Sequence, residues 1–181
     1  MSQKGKRRLE RGMVEVYTGD GRGKTTAAIG LAFRAAGRGL RVHIIQFMKG
    51  DDRYGEVQSI RGHPLIALEQ FGRREFVNPH EPSTVDVELA ARAMARAREV
   101  LSAGEADVVI LDELSVAISF KLVALADALR LLDLRKPHVE LVITGRGAPQ
   151  ELIDRADLVT DMRQVKHPFQ KGVLAREGID H

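Results

Sequence analysis

The chain reads as a three-layer α/β protein, with a mostly parallel central sheet and helices on both faces. Three observations predict this. Apolar runs of strand length alternate with longer stretches of helical periodicity, as a βαβ architecture requires. A glycine-rich loop stands directly between the first strand and the first helix. Residues 108–111 form a continuous apolar run, as expected of a strand buried on both faces of a parallel sheet. The 181 residues fit one domain with a full core, and no repeat or low-complexity linker divides them. The expected organisation is a basic flexible tail over 1–12 and a single domain over 13–181.

Taken in order, residues 13–17 predict a first strand and 24–36 an alanine-rich helix closed by Gly37 and Gly39. Residues 41–47 predict a second strand, carried by Val42, Ile44 and Ile45. Residues 48–63 read as irregular. A short strand over 65–68 leads into a polar loop, 71–82, that holds Phe71 and Phe76. Over Thr84–Ala103 the spacing of Val87, Ala90, Met94, Ala97 and Leu101 predicts a helix, opened by a Ser83/Asp86 capping box. After the buried strand at 108–111, a helix is expected over 122–134 and stopped by Pro137. A strand at 139–143, a short helix at 149–156 and a last strand at 158–162 follow, whereas 163–181 shows no usable period.

Composition excludes several classes. There is no cysteine, so disulfides, zinc thiolate sites and a cysteine nucleophile are ruled out. No apolar run approaches the roughly 20 residues of a membrane-spanning helix, and the first residues lack the apolar stretch of a secretory signal. A cytoplasmic protein with no membrane partner is therefore expected. The sequence pI near 9.4 suggests nucleic acid until the charge is located. Five of the 28 Lys and Arg residues fall in the first twelve positions, against Glu10 alone, leaving 23 basic and 24 acidic residues in the body. A nearly neutral body with a basic tail gives no support for a nucleic-acid partner.

The loop Thr18-Gly19-Asp20-Gly21-Arg22-Gly23-Lys24-Thr25-Thr26 has the parts of a phosphate loop. Glycines let backbone N–H groups turn onto an anion, and the helix N-terminus adds partial positive charge. Lys24, expected to face solvent when the loop is empty, supplies a full charge, and the Thr25 hydroxyl is placed to ligate Mg²⁺ (or Mn²⁺). Thr18 departs from the usual initial glycine. With this loop the fold narrows to the P-loop NTPase-like, RecA-like kind. Such a site needs an acid at the end of a buried strand, and Asp112 and Glu113 supply it; which of them reaches the metal stays open. Arg146, after the strand at 139–143, belongs to the same sheet edge and suits a charged phosphate chain. The six histidines (His43, His63, His80, His138, His167 and His181) lack the spacing of a ligand set.

A phosphate loop leaves the reaction open. The narrower signal is a series of segments in order: the loop itself, Gln46-Phe47-Met48-Lys49-Gly50, Leu111-Asp112-Glu113-Leu114, Thr144-Gly145-Arg146-Gly147, Val165-Lys166-His167-Pro168-Phe169 and Gly178-Ile179-Asp180. Together they resemble the ATP:corrinoid adenosyltransferases of cobalamin biosynthesis, over essentially residues 13–181. Thr18 matches that family. The resemblance implies that Co(I) of a corrinoid attacks the ribose 5′-carbon of ATP and expels triphosphate, with ATP and Mg²⁺ as co-substrate and metal. It implies catalytic roles for Lys24, Glu113 and Arg146, with Mg²⁺ held by Thr25 and Glu113. It further implies a homodimer whose N-terminal segment covers the neighbouring site, and an external reductase supplying Co(I). The better-known branch places a phenylalanine and a tryptophan against the corrinoid; this chain has no tryptophan, and Phe71 and Phe76 are the nearest equivalents. Two rivals remain on sequence alone: a γ-phosphoryl transferase or ATPase, which would release ADP, and a nucleotide-responsive binding module.

Overall fold

A computed structural model describes residues 9–180. Positions 1–8 of the expected tail, and His181, lie outside the described residues. The elements run β1 (Val14–Thr18), α1 (Lys24–Ala36), β2 (Val42–Phe47), α2 (Gly55–Ile60), β3 (Ile66–Phe71), α3 (Thr84–Ala103), β4 (Val108–Asp112), α4 (Leu114–Ser119), α5 (Leu125–Leu134), β5 (Glu140–Thr144), α6 (Gln150–Asp154) and β6 (Leu158–Asp161), with a 3₁₀ turn at Pro168–Lys171.

The six strands form one sheet in the order β3-β2-β4-β5-β1-β6, and every pairing is parallel. Both faces are covered. The alanine stripe Ala28, Ala32, Ala35 and Ala36 of α1 packs with Ile60 of α2 on Ile44, Ile110 and Val142. Small side chains there let the helix lie close to the sheet. The opposite face receives α3, α4 and α5 through Ala90, Met94, Leu101, Leu114 and Leu131, packed on Ile45, Leu111 and Ile143. Strand β4 is buried at all five residues, which is why it reads as an unbroken apolar run.

Three expectations for the elements need correction. The segment 48–63 contains α2, anchored by buried Ile60; six residues, opened by a glycine, are too few to show a helical period. Strand β3 runs on to Phe71 in register with Phe47, although Glu69 and Gln70 are polar, because an edge strand keeps one side open to water. The helix expected from 122 begins at Leu125, and a separate helix, α4, precedes it. In α4, Leu114, Ser115 and Ala117 are buried, so LSVAIS presents no polar face to reveal it. The capping box at Ser83 forms as expected, with reciprocal bonds between Ser83 and Asp86.

One charged cluster lies within the sheet. Tyr17 Oη donates to Glu15 Oε2 at 2.5 Å, and Glu140 Oε2 accepts from the Met13 amide at 2.7 Å. Burial and a shared hydrogen bond with Glu15 push the Glu140 carboxyl up from its ordinary 4.5 to about 7. A raised carboxyl favours the protonated form in the fold. Its contribution is therefore full below pH 4.5 and is lost as pH rises through about 7. Allowing for solvent screening of a half-exposed group, Glu140→Gln is expected to raise stability by about 1 kcal/mol at pH 8 and by nothing at pH 4. Denaturant melts at the two pH values check this; an equal effect at both would disprove the titration.

Candidate active site

Because all six strands are parallel, their carboxyl ends share one edge, and the phosphate loop, Asp112, Thr144 and the end of β2 meet there. Strand β5 separates β1 from β4, so Thr144 sits between the phosphate loop and the acid. The loop glycines have distinct reasons. Gly23 has φ 118°, which L side chains rarely adopt. Gly21 is required by space: a Cβ there would lie 2.4 Å from the Met162 carbonyl oxygen. Thr18 also has a structural role, since its hydroxyl accepts from the Ala148 amide at 3.2 Å and ties the start of the loop to the segment carrying Arg146.

Lys24 differs from expectation. It is buried, and its Nζ donates to the carbonyls of Gly19 and Gly21, both at 2.6 Å. The ammonium thus ties two carbonyls of its own loop together. Burial, with Arg146 adding repulsion, holds it below the ordinary lysine range.

Asp112 is the centre of a buried network. Its Oδ1 accepts from Thr25 Oγ1 at 2.8 Å and from Thr144 Oγ1 at 2.6 Å; its Oδ2 accepts from Gln46 Nε2 at 3.0 Å and Lys49 Nζ at 2.8 Å. Burial alone would raise this carboxyl, but Lys49 and the hydroxyls hold it below the usual range. Gln46 is oriented in turn by Gln70 of β3 at 3.0 Å. Beyond β2 and β3 the two chains cross so closely that a Cβ on Gly50 would lie 2.1 Å from the Gly72 oxygen. Met48 takes a left-handed φ of 58° at this crossing, which fixes the backbone that carries Lys49.

Glu113 stands apart. It has φ 63°, a strained conformation for a side chain of this size, at the turn from β4 into α4. Its amide donates to Thr144 Oγ1 at 3.0 Å, while its carboxylate makes no hydrogen bond among the described residues and faces the cleft. Burial, and then the charge of Asp112, raise its pKa. No three His, Asp or Glu side chains gather into a metal cage among the described residues. A hydroxyl with two carboxylates beside a phosphate loop nevertheless fits a hard cation such as Mg²⁺, which takes one or two carboxylates and completes its shell from phosphate and water.

The cleft in front of these groups is about 910 Å³ in volume. One wall is the phosphate loop with Lys49, Glu113 and Arg146. The other comes from the C-terminal segment that showed no period, held to the loop by Arg22, which donates to the Ile179 carbonyl and pairs with Asp180 at 2.8 Å. This wall presents Phe169 and Leu174, 70% and 77% exposed. The two candidate phenylalanines part company. Phe76 lines the cleft and is 100% exposed, whereas Phe71 ends β3, packs against the core and lies beneath Arg92, whose Cζ is 6.0 Å from the ring centroid. Gly19, Asp20, Gly23 and Thr26 stay with the loop as expected, and Asp20, Gly23 and Thr26 line the cleft. Gln46, Lys49, Thr144, Phe169 and Leu174 were not singled out as site residues. The first three lie at or just beyond strand ends, where polar residues inside apolar runs were the available signal.

Comparison with known proteins agrees over nearly the whole chain. The model of the family described as ATP:corrinoid adenosyltransferase BtuR/CobO/CobP matches residues 10–181. A corrinoid adenosyltransferase of a Sinorhizobium species is 35% identical over 173 residues, covering 94% of this chain and 81% of the relative. The corrinoid adenosyltransferase CobA of Salmonella typhimurium is 36% identical over 172 residues, covering 95% and 87%. That of Pseudomonas aeruginosa is 34% identical over 173 residues, covering 96% and 85%.

Proposed function

This chain belongs to the ATP:corrinoid adenosyltransferase family, and from that premise we propose how its cleft carries out the transfer. The enzyme moves the 5′-deoxyadenosyl group of ATP onto the Co(I) of a corrinoid, in the biosynthesis or salvage of adenosylcobalamin. Cobalt is the nucleophile: its electron pair forms the cobalt–carbon bond as the bond from C5′ to the triphosphate oxygen breaks. The leaving group is triphosphate, so no protein nucleophile is called for. The observation that supports this reading is the pairing of an anion cradle with an apolar wall across one cleft. The cradle suits the triphosphate and the Phe76, Phe169 and Leu174 side a large, partly apolar ring.

Within that reading the residues have separate tasks. Loop amides, Lys24 and Arg146 neutralise the charge that develops on the triphosphate. Thr25 and Glu113 would hold Mg²⁺ or Mn²⁺, with Asp112 fixing the Thr25 hydroxyl; the metal would supply further charge neutralisation to the leaving group. Adenosyl transfer consumes Co(I), which ATP cannot generate, so an external reductase completes the system. We infer a homodimer and a cytoplasmic location on the same resemblance; no helix among the described residues is long and apolar enough to cross a membrane.

An anaerobic assay with ATP and chemically reduced corrinoid tests the function. The cobalt–carbon spectrum and triphosphate should appear together, and release of ADP instead would mean ordinary phosphoryl transfer. In the same assay Glu113→Gln should lower the metal-dependent rate about 30-fold while weakening ATP binding less than threefold, because an amide is a poor ligand for a hard cation. A mild Glu113→Gln beside a crippling Asp112→Asn would move the metal to Asp112.

A further inference from the structure

Lys49 stands against the Thr25 oxygen that, with Glu113, would hold a dication, and on the Asp112 carboxylate that fixes that hydroxyl. Its Nζ lies 2.8 Å from Asp112 Oδ2 and 3.2 Å from Thr25 Oγ1. Thr25 gives its only proton to Asp112 Oδ1, so its oxygen has lone pairs alone to offer, and Lys49 donates to one of them. The Asp112 side chain is 1% exposed, with each oxygen engaged twice. Three of its four donors are neutral, and Lys49 is its single charged partner. A buried carboxylate deprived of its counter-charge is strongly destabilising, so Asp112 needs a cation beside it. An ammonium and a dication about 3 Å apart repel strongly in a partly buried site, so the two exclude each other.

We propose that Lys49 is a built-in stand-in for the metal, keeping Thr25 and Asp112 in place in the nucleotide-free enzyme and refusing a bare dication. Metal arriving with ATP displaces the ammonium. Lys49 already lines the cleft, so it can turn onto the triphosphate, which gives it a new counter-charge. Metal uptake is thereby coupled to the polyanion. This rests on the metal site proposed above, at Thr25 and Glu113.

The test is Mn²⁺ binding to the full, nucleotide-free chain, read from the electron paramagnetic resonance of free Mn²⁺. Lys49→Met should bind Mn²⁺ about tenfold or more tightly than the unsubstituted protein, since a like charge has left the site. Lys49→Arg should stay weak, and adding Glu113→Gln to Lys49→Met should erase the gain. Thermal melts give a second reading: Lys49→Met should melt lower than the parent without metal and recover when Mn²⁺ is added. Should Lys49→Met fail to fold, Lys49→Gln, which still donates to Asp112, is read in the same way. Mn²⁺ affinity unchanged or weaker in the folded variant overturns the proposal. That failure is distinct from failure of the adenosyl-transfer reading, which triphosphate release by the unsubstituted enzyme decides separately.

Discussion

Lys24→Ala is expected to lower adenosyl transfer about 1000-fold while the protein remains folded. The reaction places charge on a triphosphate leaving group, and a fixed cation aimed at developing charge is usually among the largest single contributors to rate. The structure adds a step. The ammonium is held by the Gly19 and Gly21 carbonyls at 2.6 Å, so it must leave them to meet the phosphates. Burial and Arg146 destabilise its charge there, which lowers the cost of leaving. Loss of the side chain removes two hydrogen bonds but also a desolvated charge next to an arginine. The two effects oppose each other, and the net change in stability should stay within about 1 kcal/mol. Single-turnover rates beside a thermal melt check both halves. Near-normal transfer by folded Lys24→Ala would remove the phosphate loop from the mechanism.

How much of this site could be read from the residues follows from how each signal arises. The phosphate loop was legible because its chemistry is local: glycines, Lys24 and Thr25 adjoin in sequence and need only a strand before and a helix after. Asp112 and Glu113 were legible as a pair at the end of an apolar run. Their different roles were not, because these depend on β5 lying between β1 and β4, which brings Thr144 to Asp112 and leaves the Glu113 carboxylate facing the cleft. Lys49 and Gln46 show in the sequence only as part of a motif, since their partner is 63 and 66 residues away. The C-terminal wall was the least legible. Its apolar residues face the cleft rather than the core, so the periodicity that marks a helix or strand never develops. Phe71 misled for a related reason: polar Glu69 and Gln70 on an edge strand made the strand end look like a loop.

The separation of the two phenylalanines yields the last expected result. Phe76 is fully exposed at the cleft, and Phe71 is packed on the core under Arg92. If Phe76 covers one face of the corrinoid, it excludes water and disfavours a polar axial ligand on cobalt. The reduced ion binds axial ligands poorly, so removing one makes Co(I) easier to reach. Phe76→Ala should therefore slow transfer about 100-fold when the enzyme starts from Co(II) with a reductant, a difference of roughly 2.7 kcal/mol in the barrier. Starting from corrinoid already reduced in solution, the defect should shrink to about threefold, the residual loss of ring contact. ATP affinity should not change, because Phe76 lies outside the phosphate loop. Stability should move by less than about 0.5 kcal/mol, since an exposed ring contributes little packing. Phe71→Ala should do the reverse. Truncating a half-buried ring against the core should cost about 2 kcal/mol, below the range for a fully buried phenylalanine, with similar small rate changes from both cobalt states. Equal slowing of Phe76→Ala from Co(II) and Co(I) would show that its ring positions the corrinoid without acting on the axial ligand. A lowered melting temperature in Phe76→Ala would place the ring in packing instead of at the substrate.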